Sequence, residues 1–233
     1  AGWGLLAGRG VGKLRLVETL LGHGANPNAR LTRGPRTYGF GGFRRIAMAG
    51  ATPFLVAARS ADLAIMHVLL AAGADPLLNA DDGTTPLMAA AGYAYAIGTD
   101  THLEADALTA ATLAVELGAD VGAANTVGET ALHAAAYAGW DSIVRLLLDQ
   151  GAYVDPKNVV AWTPLAIASG FFDLTTQTKT IHETTVALLK QHGAAPTPPP
   201  NAGLPAWAQG YYLAAQHGLA IRAVTRTVHP SED

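Results

Sequence analysis

A glycine that closes an apolar stretch recurs five times, and this recurrence limits the possible folds more than any other feature of the chain. Glycine and alanine stand together at each point, as in "GANPNA" and "GADPLL". The five stop glycines are Gly24, Gly73, Gly118, Gly151 and Gly193. Three of the preceding stretches carry apolar residues at i, i+1, i+4 and i+5, as in Leu16, Val17, Leu20 and Leu21. This spacing predicts a helix with one buried face, and a left-handed glycine can end such a helix.

A second phrase marks where helices begin. Threonine, then proline or alanine, then an apolar residue and paired alanines recur, as in "GATPFLVAA" and "GETALHAAA". The start threonines are Thr52, Thr85, Thr130 and Thr163. A threonine side chain can accept from the first free amides of a helix, and proline suits the next position because an N–H there would be unpaired. Each unit is therefore predicted to be helix, turn, helix, glycine stop and extended connector.

These phrases together strongly resemble the ankyrin repeat, whose units begin with a Thr-Pro-Leu-His motif and have a period of 33 residues. The segment "GETALHAAAYAGWDSIVRLLLDQGAYVD", residues 128–155, matches best. The resemblance runs from about Trp3 to Ala195 and implies an all-α solenoid of about five repeats with short hairpin fingers. We assign residues 1–195 to the solenoid, with an incomplete first repeat that turns at Gly12. Residues 196–233 are assigned to a proline-rich connector and an irregular C-terminal cap.

The spacing of the repeats locates three insertions. The connector from stop glycine to start threonine takes 12 positions in three cases, but 28 from Gly24 to Thr52. The long connector therefore carries a 16-residue insertion within residues 31–50, at the position where ankyrin repeats form a hairpin finger. Start threonine to stop glycine takes 21 positions in two repeats, but 33 from Thr85 and 30 from Thr163. The third and fifth repeats therefore carry extra residues between their helices.

The inserted finger, residues 31–50, is rich in arginine, glycine and aromatic residues and contains no acid. Arginine and aromatic residues dominate protein interfaces, so we predict that this finger binds a partner through Arg33, Arg36, Tyr38, Phe40, Phe43, Arg44 and Arg45. Residues 1–61 hold nine basic residues and one acid, whereas residues 75–183 hold fourteen acids and three basic residues. The alternative is therefore that the finger folds against its own acidic neighbours. The same acidic surface argues against nucleic acid, because it would repel phosphates.

Aromatic residues at the ends of the first helices suggest a second contact surface. They fall on the edge opposite the fingers, and two groups lie in the insertions. Inserted residues have no place in the core of the repeat, so a hydrophobic contact edge is predicted. Its members are Tyr95, Trp140, Phe171 and Phe172, whereas Tyr137 is expected to pack within its own repeat.

Catalytic chemistry has little support in the sequence. There is no cysteine, which excludes disulfides and thiolate sites. The candidate metal ligands are Asp100, His102, Glu104, Asp106, His182 and Glu183, and their spacing matches no known metal motif. The resemblance implies that His133 braces adjacent connectors through hydrogen bonds. We therefore predict no enzyme activity, no metal and no cofactor.

The composition favours a protein that has partners. Half of the residues are hydrophobic and 14% are charged, well below the roughly 25% that is usual. We expect a protein-binding module or an assembly subunit, with head-to-tail self-assembly as the alternative and a metal enzyme or nucleic-acid binder as remote ones. No apolar run approaches the roughly 18 residues of a membrane span. A start at Ala1 fits a cleaved leader or excision from a longer polypeptide, so export to the periplasm or outside the cell is slightly favoured over the cytoplasm.

Overall fold

The fold is a stack of short helices joined by tight turns and extended connectors. A computed structural model describes residues 11–32, 49–93, 103–159, 161–170, 172–173 and 178–196. Within these ranges the helices are α1 (Val11–Gly22), α2 (Pro53–Arg59), α3 (Leu63–Ala71), α4 (Pro86–Ala90), α5 (Glu104–Glu116), α6 (Ala131–Ala138), α7 (Asp141–Asp149), α8 (Pro164–Ala168) and α9 (Glu183–Gln191). Two short antiparallel strands, β1 (Phe172–Asp173) and β2 (Thr178–Lys179), pair within the insertion of the fifth repeat, between α8 and α9.

The helices form two layers. The first helices of the repeats, α2, α4, α6 and α8, pack side by side in chain order. Each also packs against its own second helix, as α2 does against α3 and α6 against α7. The second helices continue the stack through α5, α7 and α9, and α1 packs against α3. The predicted all-α solenoid is therefore confirmed, with one two-stranded hairpin added to it.

The start threonines cap the first helices as the sequence predicts. The side-chain oxygens of Thr52, Thr85 and Thr163 accept from backbone amides three residues later, at 3.2, 3.0 and 3.2 Å. Proline follows each of these threonines at the first helical position. Thr130 instead forms a reciprocal capping box with His133. Local capping chemistry therefore fixes where each first helix begins.

The stop glycines end the second helices in the left-handed region. Their φ angles lie between 84° and 91° at Gly24, Gly73, Gly118, Gly151 and Gly193. A Cβ added to any of the five would meet no atom within 4 Å. Glycine is therefore required there by backbone conformation alone, since an L side chain resists this region.

The apolar stripes form the core, with an exception in α1. At the first and third stripe positions Ile65, Leu69, Ile143 and Leu147 are 0–6% exposed. The predicted single buried face of α1 is wrong, because Leu16 is 46% and Leu20 is 52% exposed. Within the described residues, no element packs on that side of α1. Gly12 was also predicted to form a turn, but it lies in the first turn of α1.

Candidate protein-binding surface

The inserted finger leaves the solenoid through an ordinary turn. In the next finger, the Ala80 amide donates to the Thr84 carbonyl at 2.9 Å, and the Gly83 amide donates to the Ala80 carbonyl at 3.0 Å. The first finger repeats these bonds. The Leu31 amide donates to the Ala51 carbonyl at 3.0 Å, and the Gly50 amide donates to the Leu31 carbonyl at 2.7 Å.

The two turns share these closing bonds but enclose different numbers of residues. Two residues stand between Ala80 and Gly83, whereas 18 stand between Leu31 and Gly50. The insertion therefore falls between two residues that are bonded to each other, and the base of the finger keeps the register of its neighbours.

Neighbouring fingers are joined by backbone hydrogen bonds at their turns. The Asp81 amide donates to the Ala49 carbonyl at 3.0 Å, and the Thr126 amide donates to the Asp82 carbonyl at 2.8 Å. A third bond, from Val159 to Val127, measures 3.0 Å. These bonds form a ladder across four successive fingers, so the fingertips form a continuous surface rather than separate loops.

A glycine two residues before three of the four start threonines lets the fingers approach closely. Gly50 has a φ of 76°, and a Cβ there would lie 2.7 Å from the Asp81 amide nitrogen. Gly128 has a φ of 74°, and a Cβ there would lie 3.0 Å from the Asn158 Cα. The fourth finger has Ala161 at this position, with a φ of 60°. A side chain at Gly50 or Gly128 would therefore crowd the next finger, whereas no described finger stacks on the fourth one.

At the base of the inserted finger, Arg30 forms an ion pair with Asp81. The Arg30 guanidinium lies 3.4 Å from a carboxylate oxygen of Asp81, and both side chains are substantially exposed. Exposed pairs of this kind contribute about 0–1 kcal/mol, so the pair orients the base more than it stabilises it. The predicted anchors of this finger lie outside the described residues: Arg33, Arg36, Tyr38, Phe40, Phe43, Arg44 and Arg45.

Trp140 does not belong to an exposed edge. It is 6% exposed, and a Cβ on Gly92 would lie 2.8 Å from its ring. The glycine of the third repeat makes room for this ring, so Trp140 packs between repeats and its assignment to a contact surface is wrong. Tyr95 and Phe171 lie outside the described residues, and Phe172 lies in β1, where only its backbone is described.

Other residues expose apolar surface on that edge. Leu103, at the start of α5, is 69% exposed, and Ile181, just before α9, is 49% exposed. The exposure of Leu103 could have been predicted from the sequence, because Leu103 stands at the N-cap position of α5. Asp62, a polar residue, stands at the same position of α3. On the finger side of the molecule, Val159 at the tip of the fourth finger is 66% exposed. Sequence reasoning had singled out none of the three.

Comparison with known proteins agrees with this arrangement of helices and fingers. Residues 101–198 match the family profile described as ankyrin repeats in three copies. Residues 101–198 of the chain contain ankyrin repeats. A segment of 45 residues is 53% identical to Inversin from Danio rerio, covering 19% of this chain and 4% of that protein. The chain therefore spans a small fraction of the length of the relative that it matches. Ankyrin repeats generally mediate protein–protein interaction.

His133 has the bracing role that the ankyrin resemblance implies. Its side chain is fully buried. Nδ1 accepts from the Thr130 amide at 3.1 Å, and Nε2 lies 3.0 Å from the Trp162 carbonyl oxygen in the next finger. If Nδ1 is the acceptor, Nε2 carries the hydrogen that it donates to that carbonyl. Nδ1 thus completes the cap of α6, and Nε2 joins this first helix to the following connector.

Two of the candidate metal ligands instead tie ankyrin repeats together. A carboxylate oxygen of Glu104 accepts from the Ser142 amide at 2.8 Å and from its hydroxyl at 2.6 Å, which caps α7 from the preceding repeat. His182 places Nε2 3.0 Å from the Tyr137 carbonyl oxygen. No group of three potential metal ligands occurs among the described residues. Asp100 and His102 lie outside that part of the chain.

None of the described helices is both long enough and apolar enough to cross a bilayer.

Proposed function

We propose that this chain is a non-catalytic protein-binding module that recognises another protein through its fingers and first helices. The inserted finger extends this surface and carries the main anchors. The observation that supports the proposal best is the turn at Leu31 and Gly50. This turn encloses 18 residues and keeps the backbone hydrogen bonds that the next finger also has. An insertion that leaves its scaffold unchanged suits recognition.

The ladder of fingertips supports rigid recognition. Backbone bonds link Ala49 to Asp81, Asp82 to Thr126 and Val127 to Val159, so these turns are ordered before any partner arrives. A preformed surface binds with a smaller loss of conformational entropy than a loop that must fold on contact. Val159 adds exposed apolar area at one end of this surface, and Asp81 adds an exposed carboxylate near the inserted finger.

Deleting residues 32–47 tests the proposal. The deletion leaves Met48 and Ala49 between Leu31 and Gly50, which restores the two-residue turn of the next finger. We expect the melting temperature to stay within a few degrees of the parent chain, because the closing bonds remain. Binding of the native partner, measured by pull-down with parent and deleted chains as bait, should be lost.

The matched control substitutes Leu103 by serine at the opposite edge, and this variant should still capture the partner. A large loss of stability on deletion, with capture intact, would show that the finger is an internal brace and would refute the proposal. The Arg30–Asp81 pair is the contact that would favour such a brace.

Self-assembly is the second candidate, because the basic first third of one copy is complementary to the acidic middle of another. Repeat-type stacking of one copy on the end of the next has less support. Leu70 in α3 and Leu148 in α7 are partly buried against the core, whereas the corresponding residue of α9 is the exposed Lys190. Light scattering at low and high salt separates the candidates, since charge-driven self-association would weaken as salt rises.

Nucleic-acid binding is tested with the same protein. Tight, salt-sensitive binding to unrelated DNA or RNA, lost when Arg33, Arg36, Arg44 and Arg45 are changed to serine, would contradict protein recognition by this finger.

A further inference from the structure

The layer of second helices is interrupted between α3 and α5. Elsewhere in the described chain each second helix packs on the next: α1 contacts α3, α5 contacts α7, and α7 contacts α9. By contrast, α5 has hardly any contact with α3 and packs instead on the first helices α2 and α4. We name this place the α3–α5 junction.

The buried face of α5 explains why the two helices make so little contact. All of its buried residues are alanines: Ala107, Ala110, Ala111 and Ala114. At the positions of the last three, the neighbouring second helices bury larger side chains: Ile65, Met66 and Leu69 in α3, and Ile143, Val144 and Leu147 in α7. A methyl group makes far fewer contacts than a leucine or isoleucine side chain, so α5 offers α3 little to pack against.

Polar side chains join the other pairs of second helices but not this one. The Lys13 ammonium donates to Asp62 at 2.8 Å, which links α1 to the N-cap of α3. Glu104 of α5 caps α7, and the Thr185 hydroxyl of α9 donates to Asp141 of α7 at 2.5 Å. Both α3 and α5 are described along their whole length, and no side-chain hydrogen bond or ion pair joins them.

The connectors show the same interruption. Four residues after its stop glycine, Asn28 accepts from the Asp75 amide of the next connector at 2.7 Å. Asp155 holds the same position and accepts from the Ala195 amide at 2.9 Å. The connector that follows α3 carries Leu77 at this position, where a leucine side chain cannot hydrogen-bond and is 49% exposed.

The opposite side of the α3–α5 junction is well held. The first helices α2 and α4 pack closely against each other. The fingers that precede them are joined by the bond from the Asp81 amide to the Ala49 carbonyl at 3.0 Å. Two repeats that are fixed along one side and barely touch along the other can rotate about the fixed side.

We propose that the α3–α5 junction is a hinge, about which the first two repeats rotate relative to the following three. The contact between α2 and α4 and the Ala49–Asp81 bond form its axis. Rotation changes the spacing of α3 and α5, and with it the curvature of the face formed by the fingers and first helices. The consequence for binding rests on the proposed function: a partner that contacts fingers on both sides of the hinge selects one curvature.

The absence of cysteine from the chain allows pairs of spin labels to test the hinge. The last residues of four second helices are all exposed and serve as matched sites: Ala71, Glu116, Asp149 and Gln191. The pair Ala71→Cys and Asp149→Cys spans the α3–α5 and α5–α7 junctions. The control pair Glu116→Cys and Gln191→Cys spans the α5–α7 and α7–α9 junctions. Each pair covers two helix spacings, about 20 Å, so double electron–electron resonance can measure both distance distributions.

We expect the distribution of the first pair to be about twice as wide as that of the control, because few contacts restrain the α3–α5 junction. The α5–α7 junction is common to both pairs, so the difference compares the α3–α5 junction with the α7–α9 junction. Equal widths, or a wider control, would overturn the proposal. These spectra are recorded without a partner, so a rigid junction would refute the hinge and leave the proposed function standing.

A second set of sites repeats the measurement at another level of the same helices. His67, Thr112, Arg145 and Ala187 each stand six residues before a stop glycine. His67→Cys with Arg145→Cys should again give a wider distribution than Thr112→Cys with Ala187→Cys. A hinge moves α3 as a whole, so a wide distribution at Ala71 alone would show fraying of one helix end and would also contradict the proposal.

Discussion

Gly139 is the position where a single added methyl group should be most informative. It ends α6 in the left-handed region, with a φ of 71° and a ψ of 30°. A Cβ there would overlap the ring of His182 in the next repeat, at 2.6 Å from Cε1 and 2.7 Å from Cγ. Gly139→Ala therefore combines backbone strain with a steric clash between repeats. Gly151→Ala is the matched control, because Gly151 has a φ of 84° and a Cβ there would meet nothing within 4 Å.

The expected magnitudes differ for that reason. An alanine forced into the left-handed region costs about 1–2 kcal/mol, and both variants bear this cost. In Gly139→Ala the His182 ring must also move, which breaks its bond to the Tyr137 carbonyl. A lost hydrogen bond costs about 1 kcal/mol, and a side chain forced from its rotamer costs about 1 kcal/mol more. Gly139→Ala should thus lower the free energy of unfolding by about 3–4 kcal/mol, against about 1–2 kcal/mol for the control.

Urea denaturation followed by circular dichroism measures both variants. Adding His182→Ala tests the cause, because removing the ring also removes the clash. The combined loss for Gly139→Ala with His182→Ala should then be smaller than the sum of the two single losses. Equal losses for Gly139→Ala and Gly151→Ala would refute the reasoning, since the clash would then contribute nothing.

The remaining predictions concern the core, the caps and one strained residue, and the same denaturation assay measures each. Leu147→Ala should cost about 2–5 kcal/mol as a core truncation, and Thr130→Ala about 1 kcal/mol as a lost cap; the reverse order would mean that the register is misassigned. Glu104→Ala removes the acceptor for the Ser142 amide and should cost about 1 kcal/mol, whereas an unchanged stability would show that water replaces the carboxylate. Ala161→Gly relieves a φ of 60° and should raise stability by up to about 1 kcal/mol; a loss would mean that the alanine methyl group makes a contact that outweighs the strain.

The starts and ends of the helices were predictable because local backbone chemistry determines them. A threonine that caps a helix and a glycine that ends one act through their own neighbouring amides and carbonyls, so Thr85 and Gly118 could be placed from spacing alone. The insertion at the first finger was located by the same counting. The two bonds that close it at Leu31 required the structure, because no residue type marks a backbone acceptor.

The contact surface was harder to predict because exposure depends on which neighbour is present. Trp140 looks like an exposed aromatic in sequence, but Gly92 in the preceding repeat leaves space for its ring. Leu16 looks like a core residue, but no described element packs over it. Glu104 resembled a metal ligand, although its carboxylate caps the helix of another repeat. For Trp140 and Glu104 the deciding contact lies some 40 residues away in the sequence.

The turn closed by Leu31 and Gly50 has a practical consequence for protein engineering. The same pair of backbone bonds encloses two residues in one finger and 18 in another. The closing bonds therefore do not depend on the length of the enclosed segment. A foreign peptide grafted between these two residues should be held by both of its ends, as in a cyclic peptide. Because the chain contains no cysteine, such a graft could carry its own disulfide without mispairing, which makes this fingertip a suitable site for displaying constrained binding loops.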